Sequence, residues 1–236
     1  MDGTAVNEIE KLTKKGLVVD VNGKTFSANK MEAVFHDPRP SALKVFSLDA
    51  LLEYIKSNND LQDHSVMIHV KDPGEVELIT EIYGDLKKRD VPIYAVREQS
   101  GFPFDEWVEQ ERFIILCRSL FDDTKDLQFI LSHTAKIDTE AAIKTEDDGI
   151  TQAIRVRKGV SGALTEARDI KPVVLLKPHR TFSEVDQPES EFLFRMKESN
   201  ATVYCALYAA DNGEWKNVAR KNIAEYLKDS GLPILA

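Results

Sequence analysis

Apolar residues recur along this chain with two rhythms, one near 3.6 and one of 2, and the change between them divides the sequence. Leu17, Val18, Val19 and Val21 form a β-like run. Asn22-Gly23 is a tight-turn signal after which Lys24-Thr25-Phe26 can return as a second strand. The prolines of Asp37-Pro38-Arg39-Pro40 forbid helix and predict an extended connector. Ser47 is a good N-cap for a helix carrying Leu48, Leu51, Leu52 and Ile55 at i, i+3, i+4, i+7. Ser65 to Val70 reads as a strand closed by Asp72-Pro73-Gly74. Ile79, Ile82, Tyr83 and Leu86 repeat the helical stripe, with Lys87-Lys88-Arg89 suited to its C-terminal end, and Val91 to Val96 is the next strand.

Asp105 is the expected start of a helix through Trp107, Val108 and Phe113 to about Leu120. A second helix near Thr124 to His133 carries Leu127, Ile130 and Leu131, after the stop-and-restart residues Asp122-Asp123-Thr124. From Ile137 the period becomes 2. Ile137 to Thr145 and Ile150 to Arg157 flank Glu146-Asp147-Asp148-Gly149 as hairpin arms, and Val173 to Leu176 is long enough for a buried strand. Phe192, Phe194 and Met196 alternate with polar neighbours and can pair with Ala201 to Ala209. A last helix, capped by Asp211 or Asn212, shows Trp215, Val218, Ala219, Ile223 and Tyr226 on one face, expected to pack on the Phe192 to Ala209 strands. The predicted class is α+β, a helix/strand-alternating first half followed by an antiparallel sheet packed by a C-terminal helix. Residues 1–40 form an N-terminal arm with hairpin and proline connector, 41–134 an α/β half, and 135–236 the sheet with its closing helix, the two halves joining in one unit.

Composition narrows the function classes. With 42% hydrophobic and 30% charged residues over 236 positions, the chain can bury a real core. A net charge of −9 argues against broad, sequence-independent nucleic-acid binding, which needs phosphate-neutralising Lys and Arg. Cys117 and Cys205 lie far apart on apolar segments and read as buried reduced thiols. Met1 to Glu10 is polar and acidic, so no signal peptide is expected, and no run approaches the roughly 20 apolar residues of a membrane span. The expected location is the cytoplasm.

Candidate chemistry is sparse. No P-loop, GxGxxG or GxSxG occurs, and histidines, cysteines and acids fall in no ligand spacing, so no metal and no cofactor are expected. Glu146-Asp147-Asp148 beside Gly149 reads as a solvated turn rather than a carboxylate site. The most informative stretch is Lys177-Pro178-His179-Arg180-Thr181-Phe182, after a strand. Arg180 could hold a carboxylate or phosphate, with Lys177, His179 and Thr181 adding charge and hydrogen bonds. The competing view is a proline-bounded loop whose Arg180 pairs with Glu184 or Asp186. Arg155, Arg157 and Lys158 form a basic strand face, a weak nucleic-acid signal without interleaved aromatics.

Taken in order, Val45-Phe46-Ser47-Leu48-Asp49-Ala50-Leu51-Leu52-Glu53-Tyr54-Ile55, the strand at Val66 to Val70, the helix around Trp107 to Phe113 and the stretch Ser190 to Leu227 resemble an uncharacterised phage and prophage family that includes the enterobacterial YfdQ-type proteins. The resemblance implies a mobile-element origin and expression inside a bacterial host cell, and it transfers no site. The leading expectation is therefore a non-enzymatic phage protein acting by self-assembly into a homo-oligomer and by binding a host or phage partner or a ligand. Alternatives are an accessory in phage DNA recombination or replication and sequestration of an anionic nucleotide signal at Lys177 to Phe182; an enzyme ranks last.

Overall fold

The computed structural model describes residues 4, 41–57, 64–83, 87–98, 101–135, 171, 173–200 and 202–236, together with the backbone of the strands at 18–21, 24–27, 143–147, 152–157 and 164–170. The predicted Asn22-Gly23 turn, the Asp37–Pro40 connector, residues 137–142 of a hairpin arm, Leu86 and Lys158 lie outside them. The chain divides into units Met1–Pro40 and Ser41–Ala236. In the first, β1 (Val18–Val21) pairs antiparallel with β2 (Lys24–Ser27), Val21 opposite Lys24.

The second unit is α+β. Its first sheet takes β3 (Leu43–Val45), β4 (Val66–Asp72), β5 (Glu75–Thr80), β6 (Ile93–Val96) and the C-terminal Ile234–Leu235 in the order 234–235, β4, β5, β6, β3. Alternation sets what it buries: Ile68 opposes Leu78, Val70 opposes Val76, and Leu78 and Val76 oppose Ile93 and Ala95. All six are buried, a row on one face of the pleat. Helix α1 (Leu48–Ser57) covers that face with Leu48 and Leu51, its N-terminus capped by Ser47, whose Oγ accepts from the Ala50 N–H at 3.2 Å.

A second sheet places β7 (Val108–Glu109), β11 (Val173–Leu176), β12 (Ser190–Ser199) and β13 (Thr202–Ala209) in the order β11-β12-β13-β7. Phe192, Phe194 and Met196 meet Val203, Cys205 and Leu207 in a core closed by α2 (Gln110–Leu120) and α3 (Lys125–Thr134). Thr124 caps α3, its Oγ1 accepting from the Leu127 N–H at 3.1 Å. A third sheet, β10 (Leu164–Ile170), β9 (Gln152–Arg157) and β8 (Ile143–Asp147), is antiparallel with β9 central. Helix α4 (Trp215–Tyr226) follows β13.

Several expectations change. The predicted helix at 79–86 is replaced over its first residues by β5, because Asp72-Pro73-Gly74 reverses the chain and Val76 and Leu78 then alternate onto the buried face. Ile82, read as part of a buried stripe, is 55% exposed. Helix α2 begins at Gln110 instead of Asp105: Asp105 takes φ 63°, and Val108–Glu109 pairs with Tyr204–Cys205 as a strand. Strand β11 buries one face only, so by alternation Val174 and Leu176 are in the core whereas Val173 and Leu175 are exposed. The charged β10 segment forms a strand without apolar alternation to signal it.

The closing helix meets a different surface from the one expected. Ile223 joins the Leu48, Leu51 and Ile68 core of the first sheet, not the Phe192 core, while Val218 is 39% exposed and Trp215 half-buried. Positive φ at Asn212 (50°) and Gly213 (77°) sets the turn between β13 and α4, a direction that helical period does not encode. Both cysteines are free and buried. No described helix is long and apolar enough to cross a membrane.

Candidate functional site

The segment from Lys177 to Ser190 joins the two cores, following Val174 and Leu176 of one and supplying Phe182 and Val185 to the other. Its start is clipped to the end of α2: the Asp122 N–H donates to the Lys177 carbonyl at 2.9 Å and the His179 N–H to the Leu120 carbonyl at 2.8 Å. Gln187 organises the rest. Its buried Oε1 accepts from the Arg180 and Thr181 N–H groups at 2.9 and 3.2 Å, and its Nε2 donates to the Phe182 and Val185 carbonyls at 2.9 and 3.2 Å. One amide thus satisfies four backbone groups. Glu184 Oε1 accepts from the Leu48 N–H at 2.6 Å, a carboxylate at the positive end of α1.

Alternation along this loop separates the four residues that sequence grouped together. His179 and Thr181 line one cleft, Arg180 lines another, and Lys177 lines neither. His179 Nε2 lies 2.9 Å from Asp122 Oδ1, and Thr181 Oγ1 donates to the buried Pro73 carbonyl at 2.6 Å, so both are engaged within the fold. Arg180 pairs with neither Glu184 nor Asp186. Its guanidinium lies 4.0 Å from the Trp215 ring centroid and 5.4 and 5.5 Å from those of Phe192 and Phe104, while Nη2 donates to Ser190 Oγ. Burial pushes the group down to about 10, the Asp211 charge opposing the shift.

Asp211 shapes the other side of this seat. Burial works against its charge, but Ser190, the Gly213 and Trp215 N–H groups and Arg180 together hold its carboxyl below the usual carboxylate range. The same carboxylate therefore caps the turn into α4, which carries Trp215 and Lys216 in its first turn and Arg220 one turn later.

The cleft at Arg180 has a volume of about 380 Å³, lies between the 72–75 turn, the end of β6 and the start of α4, and gathers Arg97, Arg180, Lys216 and Arg220. Two carboxylates also line it and are already engaged: Asp72 Oδ1 accepts from the Gly74 N–H at 2.7 Å, and Glu75 pairs with Lys71 at 2.8 Å. Burial lowers the Arg97 pKa, with Asp72 opposing. Neither Arg97 nor Arg180 forms an ion pair within 4 Å among the described residues. In a chain of net charge −9 this is a local excess of desolvated positive charge.

The cleft's other members carried weak sequence signals. Arg97 follows a predicted strand, and Lys216 and Arg220 are four apart beside Trp215 on a predicted helix. Nothing in the sequence joined them to Arg180. The basic strand face sits elsewhere in the topology: Arg155, on the central β9, lies opposite Lys144 and Ala167, and Arg157 lies opposite Leu164. Among the described residues no group of three or more His, Cys, Asp or Glu side chains is placed to hold a metal ion. No family model, no curated protein and no solved structure matches the chain.

Proposed function

We propose that this protein acts by binding a small anionic ligand in the Arg97–Arg180 cleft, without transforming it. The observation that carries the reading is the pair of desolvated guanidiniums with no carboxylate bonded to either. Removing a cation from water is costly unless an opposite charge or hydrogen-bond acceptor compensates, and a bound anion would supply both. The cleft's remaining groups are fixed cations and engaged carboxylates, suited to holding an anion rather than exchanging a proton with it. The test is thermal unfolding at constant ionic strength with citrate or pyrophosphate. A ligand at about 100 times its Kd stabilises by roughly 2.7 kcal/mol, a shift of several degrees. Wild type should show the shift, and a Lys216→Ala/Arg220→Ala variant should lose most of it; equal shifts in both would end this reading.

Self-association is a second reading, supported by the first sheet's edge. Strand β3 ends the strand order; Leu43 within it is 51% exposed and Phe46 just after it 54%. The resemblance to the phage and prophage family supports placing both activities in the cytoplasm of a bacterial host cell. Light scattering should then give a native mass that is a multiple of 26.6 kDa, and a clean monomer removes the assembly reading.

A further inference from the structure

We propose that the anion is a phosphorylated small molecule whose phosphate sits among Arg97, Arg180 and Lys216; this rests on the anion-binding reading and adds the ligand's class. Charge comes first. Four cations, Arg97, Arg180, Lys216 and Arg220, line the cleft with two carboxylates, Asp72 and Glu75, and Asp211 lies against Arg180 from behind, so cations outnumber carboxylates by one. Lys71 is shared between Glu75 at 2.8 Å and Glu77 at 3.1 Å and adds nothing to this surplus. A monocarboxylate brings one negative charge and two oxygens. A phosphate monoester brings a charge of about −1.5 to −2 and three strong acceptor oxygens, which matches several converging donors.

Geometry supplies the second argument. The two guanidiniums come from separate elements and each is held before any ligand arrives. Arg180 is fixed by its aromatic neighbours and Ser190. Arg97 is fixed at its backbone, where its N–H donates to the Gly74 carbonyl at 2.9 Å, and along its stem, which lies against position 74. A Cβ at Gly74 would stand 3.2 Å from Arg97 Cγ and 3.3 Å from Cδ, so the close approach depends on the missing side chain. Preorganised planar forks favour tetrahedral oxyanions, because little side-chain entropy is lost on binding. The volume of about 380 Å³ exceeds what a bare phosphate fills and lies in the range of small-molecule sites, which leaves room for an organic group on the phosphate.

The test uses the full chain with Trp107→Phe, which leaves Trp215 as the only tryptophan, its ring stacked against Arg180. Fluorescence titrations compare pyrophosphate and AMP with citrate at constant ionic strength. Saturable binding of the phosphates, with citrate weaker by about tenfold or more, is expected. Arg180 also props the aromatic cluster, and its removal can unfold the loop, so the deciding variants are Lys216→Ala/Arg220→Ala and Gly74→Ala. The first should weaken pyrophosphate by about tenfold to a hundredfold, the second by less, with far-ultraviolet circular dichroism unchanged. Citrate binding as tightly as pyrophosphate, and equally sensitive to these variants, overturns the phosphate assignment and leaves the anion-binding reading standing. No saturable response to any anion, or phosphate binding indifferent to both variants, overturns both.

Discussion

Replacing Gln187 by Met isolates what one buried amide contributes. Met has nearly the length and volume of Gln, so packing is conserved while four hydrogen bonds disappear. Gln187 is 8% exposed and serves the N–H groups of Arg180 and Thr181 and the carbonyls of Phe182 and Val185. Each lost bond is worth about 1 kcal/mol on average, and of the four backbone groups the Phe182 carbonyl alone keeps a second donor, the Val185 N–H at 3.4 Å. Four such losses would total about 4 kcal/mol. The Arg180 N–H is only part-buried, and water reaching it reduces the figure to about 3 kcal/mol. In urea, with a slope of about 2 kcal/mol/M, the unfolding midpoint should fall by about 1.5 M. The slope itself should not change, because the surface exposed on unfolding is the same. The same substitution loosens the backbone that aims Arg180, so anion affinity should fall with stability. A midpoint shift below about 0.5 M would show that Gln187 does not hold this loop, and intact anion binding would detach the loop from the cleft.

Ile223→Ala should cost about 3 kcal/mol in chemical denaturation, since Ile223 is fully buried in the core of the first sheet, whereas Val218→Ala on the same helix should change stability by less than about 0.5 kcal/mol. Equal costs would contradict the helix orientation described above. Burial opposes the Asp126 charge, but the Leu175 N–H at 2.8 Å and Lys171 at 2.6 Å outweigh it and hold the carboxyl below its ordinary value. The unfolded chain therefore binds that proton more readily, so the contribution is present above about pH 4 and fades as pH falls through the lowered folded value. Asp126→Asn should flatten the acid limb of a stability–pH curve; an identical limb would refute this. Burial raises both thiols, Cys205 to about 12 and Cys117 further, so a thiol reagent at pH 8 should react with neither in the native protein and with both in denaturant.

Local chemistry made part of this protein legible before any tertiary structure. The caps at Ser47 and Thr124 act within three residues, and the Phe192-Phe194-Met196 and Val203-Cys205-Leu207 alternations each lie in one strand. Those signals are complete in a short window, and the α+β class follows from their sum. Elements whose outcome depended on a partner were harder to read. Ile79, Ile82 and Tyr83 fit a helical spacing while Val76 and Leu78 fit a strand, and only the pairing of Glu75–Thr80 with β4 decides for the strand as far as Thr80. Trp215 and Ile223 do share a helix, but positive backbone angles at Asn212 and Gly213 fix which sheet that helix meets. Arg180 stood out because it is charged and beside a proline-bounded turn. Its companions Arg97, Lys216 and Arg220 lie 83, 36 and 40 positions away, too far for any spacing to connect them. The cleft is a long-range product of the fold, set by the 72–75 turn, the end of β6 and the entry of α4, and no local pattern encodes where three such elements meet.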